Sequence, residues 1–158
     1  MTSPTCRAET AADLMTPNPV SIRQSATVAE AVALLTRKGI SAVPVIDEAG
    51  RPVGVLSQYD ILVHDRYKSE ACARPMEYFQ AADLARPNAR AAADIGAETR
   101  VRDIMTPAVF SVELDSPVRR VIEDLLALHV HRVFVVDASR ALVGVISALD
   151  VLRKLQMP

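Results

Sequence analysis

Two stretches of the chain carry the same succession of apolar and polar positions. Each opens with a short apolar piece that favours an extended strand, Val20–Ile22 in the first and Val109–Val112 in the second. Apolar residues then recur at i, i+3, i+4 and i+7, which predicts an amphipathic helix. These positions are Val28, Ala31, Val32 and Leu35 in the first stretch, and Val118, Val121, Ile122 and Leu125 in the second.

The residues at the ends of these helices support the assignment. Thr27 and Glu30 have the spacing of a capping box at the start of the first helix. Ser116-Pro117 predicts a serine cap followed by proline in the first turn of the second helix. Gly39 is placed to end the first helix.

Each helix is followed by two apolar runs joined by a short polar turn. The runs are Val43–Ile46 and Val53–Leu56 in the first stretch, and Val133–Val136 and Val143–Ile146 in the second. Asp47 and Asp137 open the turns, so each pair of runs predicts a β-hairpin. A second helix then starts at Ser57 or Ser147. Each stretch therefore predicts the order β-α-β-β-α.

The two stretches align without a gap at an offset of 90 residues, and 16 of the 53 aligned positions are identical. "DLMTP" meets "DIMTP", "VPVID" meets "VFVVD", and "VGVLSQYDIL" meets "VGVISALDVL". This is an internal repeat. We expect a flexible N-terminal tail (1–12), a first repeat (13–65), a linker (66–100) and a second repeat (101–158). One repeat has too little core to stand alone, so we expect the two to pack together.

Composition narrows the classes of function. The net charge of −1 argues against nucleic acid as a partner. No apolar run approaches the roughly 20 residues that span a membrane, and the N-terminus lacks the pattern of a secretory signal. The two cysteines form no disulfide framework, so we expect a cytoplasmic protein. The linker between the repeats is rich in Ala and Arg, and Pro75 and Pro87 interrupt any continuous helix in it. Its candidate anchors are Met76, Tyr78 and Phe79, and residues 89–95 are a candidate short helix.

The repeated blocks resemble the CBS domain, a unit named after cystathionine beta-synthase that is usually found in tandem pairs (Bateman modules). The resemblance rests on "MTP" before a short strand, "VPVID" or "VFVVD" before a turn, and "GVLSQYD" or "GVISALD" leading into the last helix. It implies an α+β fold of two β-α-β-β-α repeats, packed face to face with pseudo-two-fold symmetry. "ISAVPVID" and "HVHRVFVVD" are similar to segments of the gamma subunit of AMP-activated protein kinase, an energy sensor.

The resemblance also implies a function. Such pairs are regulatory modules that bind an adenine-containing ligand in the clefts between repeats: AMP, ADP or ATP, with S-adenosylmethionine or NAD as further candidates. No other cofactor is implied. Homodimerisation is expected, since two pairs often stack in this family. An effector protein is expected because the sequence supplies no catalytic domain of its own, so the output is a partner or a change of assembly.

Ser57 and Asp60, like Ser147 and Asp150, have the spacing S-x-x-D, which admits two interpretations. A capping box explains both residue types, because Ser caps a helix and Asp at the third position meets its positive end. The same helix end also suits phosphate. The resemblance implies that Asp60 and Asp150 hold ribose hydroxyls and that the serines lie near ribose or phosphate.

His131 and Arg132 precede a buried strand and either face solvent or contact phosphate, which Arg can bind in a forked geometry. The first repeat has Ser41 and Ala42 instead, so any phosphate-facing charge comes mainly from the second repeat. His129 and His131 would share a face of a strand, but no further ligands accompany them, so we expect no metal site.

The resemblance implies that a base pocket is formed largely by backbone groups. Its residues are Thr16, Val20, Ile40, Ser41, Ala42, Thr106, Val109 and Val130. Each of these also has a structural explanation as a strand or core residue. Gly54 and Gly144 interrupt apolar runs and indicate close backbone approach or a bulge.

We therefore expect a regulatory module and not an enzyme, because nothing in the sequence places a nucleophile beside a base. The first alternative is a structural or protein-interaction module whose clefts bind nothing. A nucleotide-processing enzyme that uses His131 and Arg132 is the second.

Overall fold

The computed structural model describes residues 5–72, 99–107 and 109–156. The chain has an α+β fold built from two similar units, as expected. The candidate anchors Met76, Tyr78 and Phe79 and the candidate helix 89–95 lie outside the described residues.

Each repeat contains the predicted β-α-β-β-α order, preceded by a short helix that the periodicity did not reveal. An extended segment follows this helix, a two-residue strand in the first repeat and the isolated bridge residue Thr106 in the second. The elements of the first repeat are α1 (Ala11–Leu14), β2 (Thr16–Pro17), β3 (Ile22–Arg23), α2 (Val28–Lys38), β4 (Ala42–Ile46), β5 (Pro52–Ser57) and α3 (Gln58–Cys72). Those of the second are α4 (Val101–Ile104), β6 (Ser111–Glu113), α5 (Val118–Ala127), β7 (Arg132–Val136), β8 (Leu142–Ser147) and α6 (Ala148–Lys154). Strands β1 (Thr5–Cys6) and β9 (Leu155–Gln156) pair at the two ends of the described chain.

Helix α2 begins and ends where the sequence indicates. Thr27 and Glu30 form the capping box, and Gly39 ends the helix in the left-handed conformation with φ of 63°. Val28, Ala31 and Leu35 are buried, but Val32 is 42% exposed because it lies at the edge of the apolar stripe. Val32 therefore lies on the predicted apolar stripe but outside the core.

Helix α5 buries Val118, Val121 and Leu125, but its start differs from the prediction. Pro117 itself occupies the capping position. The Ser116 hydroxyl accepts a hydrogen bond from the Glu113 backbone N–H, 3.0 Å away, and so closes the preceding turn. The predicted serine cap is wrong for this reason.

The two predicted hairpins are confirmed, β4 with β5 and β7 with β8. Each turn is closed by its aspartate. Asp47 accepts hydrogen bonds from the backbone of Arg51 and Ala49, and the Arg51 N–H contributes most to holding the pKa of this carboxyl below its ordinary value. The hydroxyl of Ser139 does the same for the pKa of Asp137.

The repeats exchange their first elements, so each sheet includes a segment from the other repeat. In the first of two equivalent arrangements, Thr16 and Pro17 pair with Val145 and Gly144 of β8. In the other, Thr106 forms a bridge with Val55 of β5. Two equivalent backbone hydrogen bonds also join the repeats. The Ala11 N–H donates to the Ser116 carbonyl and, 90 residues later, the Val101 N–H donates to the Ala26 carbonyl, each at 2.8 Å. These reciprocal contacts give the molecule its pseudo-two-fold symmetry.

The hydrophobic cores contain the exchanged residues. Ala8, Ala11 and Leu14, from the N-terminal part of the chain, are buried among the core residues of the second repeat. Val101 is fully buried in the core of the first repeat, with Ile104 and Met105 packed against it. Each core is therefore incomplete without the other repeat, and this explains why the unit occurs in tandem.

The exchange also changes the expected boundaries. Residues 5–12 were assigned to a flexible tail, but β1, the buried Ala8 and helix α1 belong to the fold. Helix α3 continues to Cys72, seven residues into the expected linker. None of the helices within residues 5–72, 99–107 and 109–156 is long and apolar enough to cross a membrane.

Candidate ligand-binding site between the repeats

A cavity of about 450 Å³ lies between the two repeats. Its lining consists of six equivalent pairs from the two repeats, together with Pro19 and Val43. The pairs are Thr16 and Thr106, Val20 and Phe110, Ile40 and Val130, Ala42 and Arg132, Pro44 and Phe134, and Val55 and Val145. The cavity therefore lies across the pseudo-two-fold axis. Its volume suits one small organic molecule.

Two rows of residues form the opposite sides of this cavity. Thr16 pairs with Val145, which pairs with Phe134 on the next strand; we name this row the second-repeat wall. Thr106, Val55 and Pro44 form the equivalent row, the first-repeat wall. The exchange of first elements brings Thr16 and Thr106 to these rows.

Each wall leads to the start of a helix that carries the S-x-x-D pair. Asp150 accepts hydrogen bonds at one carboxylate oxygen, Oδ2, from the backbone N–H and the hydroxyl of Ser147, each 2.8 Å away. Asp60 and Ser57 make the same two bonds at the same distances. The capping-box interpretation is therefore confirmed at both helices. These four side chains are half-buried and lie beside the cavity, outside its lining.

The remaining oxygens of the two carboxylates differ. Asp60 Oδ1 accepts a hydrogen bond from the Thr106 hydroxyl, 3.3 Å away. Asp150 Oδ1 lies 3.8 Å from a guanidinium nitrogen of Arg153, which is too far for a hydrogen bond. Within the described residues, no hydroxyl approaches Asp150 Oδ1 as Thr106 approaches Asp60.

Among the described residues that line the cavity, Arg132 is the only charged one, and it lies opposite Ser147 in the pairing of β7 with β8. His131 is exposed and outside the lining; its carbonyl accepts a hydrogen bond from the Ala148 N–H, 3.1 Å away. His129 adopts a left-handed conformation with φ of 51°, and β7 begins only at Arg132. The two histidines therefore do not share a strand. The part of the chain that the structure describes contains no group of three or more His, Cys, Asp and Glu side chains that could hold a metal.

Of the predicted base-pocket residues, six line the cavity: Thr16, Val20, Ile40, Ala42, Thr106 and Val130. Ser41, which is exposed, and Val109, which is half-buried, do not. The residues that sequence reasoning missed include Pro44 and Phe134. A signal was available, because Pro44 lies two positions beyond the predicted base-pocket residue Ala42, and Phe134 two positions beyond the predicted phosphate contact Arg132. Alternate residues of a strand face the same side.

Gly54 and Gly144 lie where the exchanged segments cross the hairpins. A Cβ atom on Gly54 would lie 2.7 Å from the Thr106 carbonyl oxygen. One on Gly144 would lie 3.0 Å from Cβ and Cγ of Met15 and would also contact its sulfur. The expectation of close backbone approach is therefore confirmed, and glycine is what lets each segment lie against its strand.

The fold and the cavity define a pair of interlocked repeats with a shared cleft. The sequence profile of the CBS domain matches residues 11–66 and 101–157, and the chain belongs to this family. It is 32% identical over 135 residues to CBS domain-containing protein CBSX1, chloroplastic, from Arabidopsis thaliana, covering 84% of this chain and 57% of that protein. It is also 26% identical to 5'-AMP-activated protein kinase subunit gamma-3 from Bos taurus, over 85% of this chain and 23% of that subunit.

Among solved structures, CBSX2 in complex with AMP superposes with a TM-score of 0.65 at 28% identity, covering 92% of this chain and 95% of the other. The chain spans less than two thirds of the length of CBSX1 and of the kinase subunit. The predicted family and its resemblance to the kinase gamma subunit are thus confirmed.

Proposed function

We propose that this chain is a regulatory module that binds an adenine nucleotide between its repeats and transmits the occupied state to a partner protein or to its own assembly. The observation that carries the proposal is the cavity, which is apolar except for Thr16, Thr106 and Arg132. An apolar cleft with a few converging polar groups is the usual form of a small-molecule site. The AMP complex of CBSX2 supports the choice of adenine nucleotides.

The mechanism we propose follows from the exchange of first elements. A ligand in this cavity contacts residues of both repeats, so its affinity depends on how the repeats are placed relative to each other. A ligand shifts such an equilibrium only through its different affinities for the two arrangements. The exchanged segments that carry Thr16 and Thr106 are the route by which occupancy would reach the helices.

Isothermal titration calorimetry of the purified protein with AMP, ADP and ATP tests the proposal, with GMP as the control for the base. We expect at least one adenine nucleotide to bind with a dissociation constant below about 1 mM, and GMP to bind more weakly. Native mass spectrometry of the protein as purified gives a second readout, the mass of any retained nucleotide. The absence of binding heat and of retained ligand would contradict the proposal.

The capping boxes favour a second candidate, a protein-interaction module that binds no nucleotide. Both boxes are complete without a ligand, so stability alone accounts for these residues. Asp150→Ala separates the two functions. A loss of about 1 kcal/mol in unfolding free energy, with no nucleotide binding by either the variant or the wild-type protein, would support the interaction module. A loss of affinity in a folded variant would support the sensor.

We also propose that the output involves a second copy of the chain. Tyr59 and Leu62 on α3 are 73% and 66% exposed, and the equivalent Leu149 and Leu152 on α6 are 61% and 59% exposed. Four large apolar side chains in a pseudo-symmetric arrangement fit a two-fold interface, which uses the same surface on both copies. Light scattering should give the mass of a dimer for the wild-type protein and of a monomer for the double variant Leu62→Glu with Leu152→Glu. A monomeric wild type would contradict this part of the proposal.

A further inference from the structure

We infer that the cavity binds one phosphorylated adenosine ligand per chain, held against the second-repeat wall, while the equivalent half-site on the first-repeat wall stays empty. This inference rests on the proposed function and extends it to stoichiometry and ligand class. It is carried by three differences between walls that are otherwise related by pseudo-symmetry.

The first difference is the surface offered to a base. The second-repeat wall presents Phe134, whereas the first-repeat wall presents Pro44 at the equivalent position. Phe134 is 6% exposed, and its backbone N–H donates to the Phe110 carbonyl at 2.9 Å, so the residue is packed into the sheet while it lines the cavity. An aromatic ring in the lining provides a π-surface for a planar base, and the saturated ring of proline does not.

The second difference is the availability of a carboxylate oxygen for ligand hydroxyls. Both oxygens of Asp60 already accept hydrogen bonds, from Ser57 at Oδ2 and from the Thr106 hydroxyl at Oδ1. Asp150 uses Oδ2 in its capping box, and its Oδ1 faces only the guanidinium of Arg153, 3.8 Å away, among the described groups. Both lone pairs of Asp150 Oδ1 can therefore accept ribose hydroxyls, whereas one lone pair of Asp60 Oδ1 already accepts the Thr106 hydroxyl and only one is left.

The third difference is charge. Arg132 lines the cavity opposite Ser147, and Ala42 stands at the equivalent position opposite Ser57. A guanidinium binds a phosphate with two charge-assisted hydrogen bonds, and an alanine offers none. The same charge disfavours a cationic ligand such as the sulfonium of S-adenosylmethionine. The group for the base thus lies on the second-repeat wall, and the groups for ribose and phosphate, Asp150 and Arg132, belong to the same repeat beside it.

Titration calorimetry with AMP and with adenosine tests the inference, because the two probes differ only in the phosphate. We expect one AMP per chain in the wild-type protein, and tighter binding of AMP than of adenosine. Arg132→Ala should weaken AMP binding by about 10- to 100-fold, which is the loss expected for a charge-assisted contact. The same substitution should leave the affinity for adenosine nearly unchanged, because adenosine has no phosphate.

The repeat supplies a matched pair of variants, Asp150→Asn and Asp60→Asn. Each alters the equivalent capping box of its own repeat, so a difference in their AMP affinity reports contact with the ligand and not the loss of a cap. We expect Asp150→Asn to weaken AMP binding by about 10-fold, the loss of one hydrogen bond to a charged group, and Asp60→Asn by less than about 3-fold. Circular dichroism and thermal unfolding establish that each variant is folded.

The outcomes separate this inference from the proposed function. Two AMP molecules per chain, equal losses in the two asparagine variants, or an AMP-to-adenosine ratio that survives Arg132→Ala would overturn the single-site inference while leaving nucleotide binding intact. No binding of AMP, ADP, ATP or adenosine to the wild-type protein would overturn both.

Discussion

The exchange of first elements between the repeats predicts unequal effects of alanine at the two equivalent glycines, Gly54 and Gly144. In Gly54→Ala the added Cβ would meet the backbone carbonyl oxygen of Thr106 at 2.7 Å, and a backbone atom can move only if its segment moves. At Gly144 the nearest atoms all belong to the Met15 side chain. The Met15 sulfur and Cγ can rotate away, which leaves only its Cβ, 3.0 Å away, to be accommodated by a small shift.

The size of the destabilisation by Gly54→Ala follows from the backbone hydrogen bonds that Thr106 loses when its segment moves. Thr106 exchanges two backbone hydrogen bonds with Val55, each 2.9 Å long, and displacing Thr106 weakens both. At about 0.5–1.5 kcal/mol for each bond, the loss is about 1–3 kcal/mol. Alanine restricts the unfolded chain more than glycine does and returns about 0.4–1 kcal/mol. The difference leaves a range of roughly 0–2.6 kcal/mol. From the middle of that range we expect Gly54→Ala to destabilise the protein by about 1–2 kcal/mol, and we expect Gly144→Ala to destabilise it by less than about 1 kcal/mol.

Urea denaturation followed by circular dichroism measures this difference, with thermal unfolding as a second readout. For a chain of this length, 1 kcal/mol corresponds to about 2–4 °C in Tm, so Gly54→Ala should lower Tm by about 2–8 °C. The m-value should not change, because both variants expose the same surface on unfolding. Equal destabilisation by the two substitutions, or a Gly54→Ala variant as stable as the wild type, would refute the proposed obstruction by the Thr106 carbonyl.

Further predictions concern local features of each repeat. Gly39 and His129 both adopt left-handed backbone conformations at a helix end, where glycine is less strained than other residues. Gly39→Ala should therefore lower Tm by about 2–4 °C, and His129→Gly should raise it by a similar amount. An unchanged Tm in either variant would contradict the idea that a side chain strains the backbone at these positions. Ser147→Ala should cost about 1 kcal/mol in urea denaturation by removing the helix cap, and a value near zero would show that the capping bond adds no net stability. The lowered pKa values of Asp47 and Asp137 mean that their contribution is complete above about pH 4 and is lost as pH falls through the lowered values. Tm measured from about pH 5 to about pH 2.5 should fall, and Asp137→Asn should make this fall shallower; an unchanged slope would contradict the assignment.

The sequence predicted the local features of the fold because these depend on neighbouring residues. The capping box at Thr27 and Glu30, the left-handed Gly39 and the two hairpins all follow from short-range geometry. Helix α1 has only four residues, and its apolar pattern is too short to show a period. The equivalent helix α4 also has four residues and was not predicted for the same reason.

The candidate site was predicted only in part, because some of its features depend on contacts between the two repeats. Six of the predicted base-pocket residues line the cavity, and their identities follow from repeat alignment and family resemblance. The roles of Phe134 and Pro44 depend on which strand each faces across the cleft. The difference between the two carboxylates depends on Asp60 Oδ1, which accepts a hydrogen bond from a hydroxyl 46 residues away in the other repeat, whereas Asp150 Oδ1 accepts none from a hydroxyl among the described residues. No periodicity within one repeat carries that information.

The sequence by itself therefore determined two α+β repeats, the capped helices with their S-x-x-D starts, and the family. Only the tertiary structure decided that the repeats exchange their first elements, so that Leu14 completes one core and Val101 the other. The physical reason is that local propensity acts over a few residues, whereas burial is satisfied by any apolar surface that geometry brings near. Two similar repeats offer similar surfaces, and the sequence pattern is the same whether a segment packs on its own repeat or on the other.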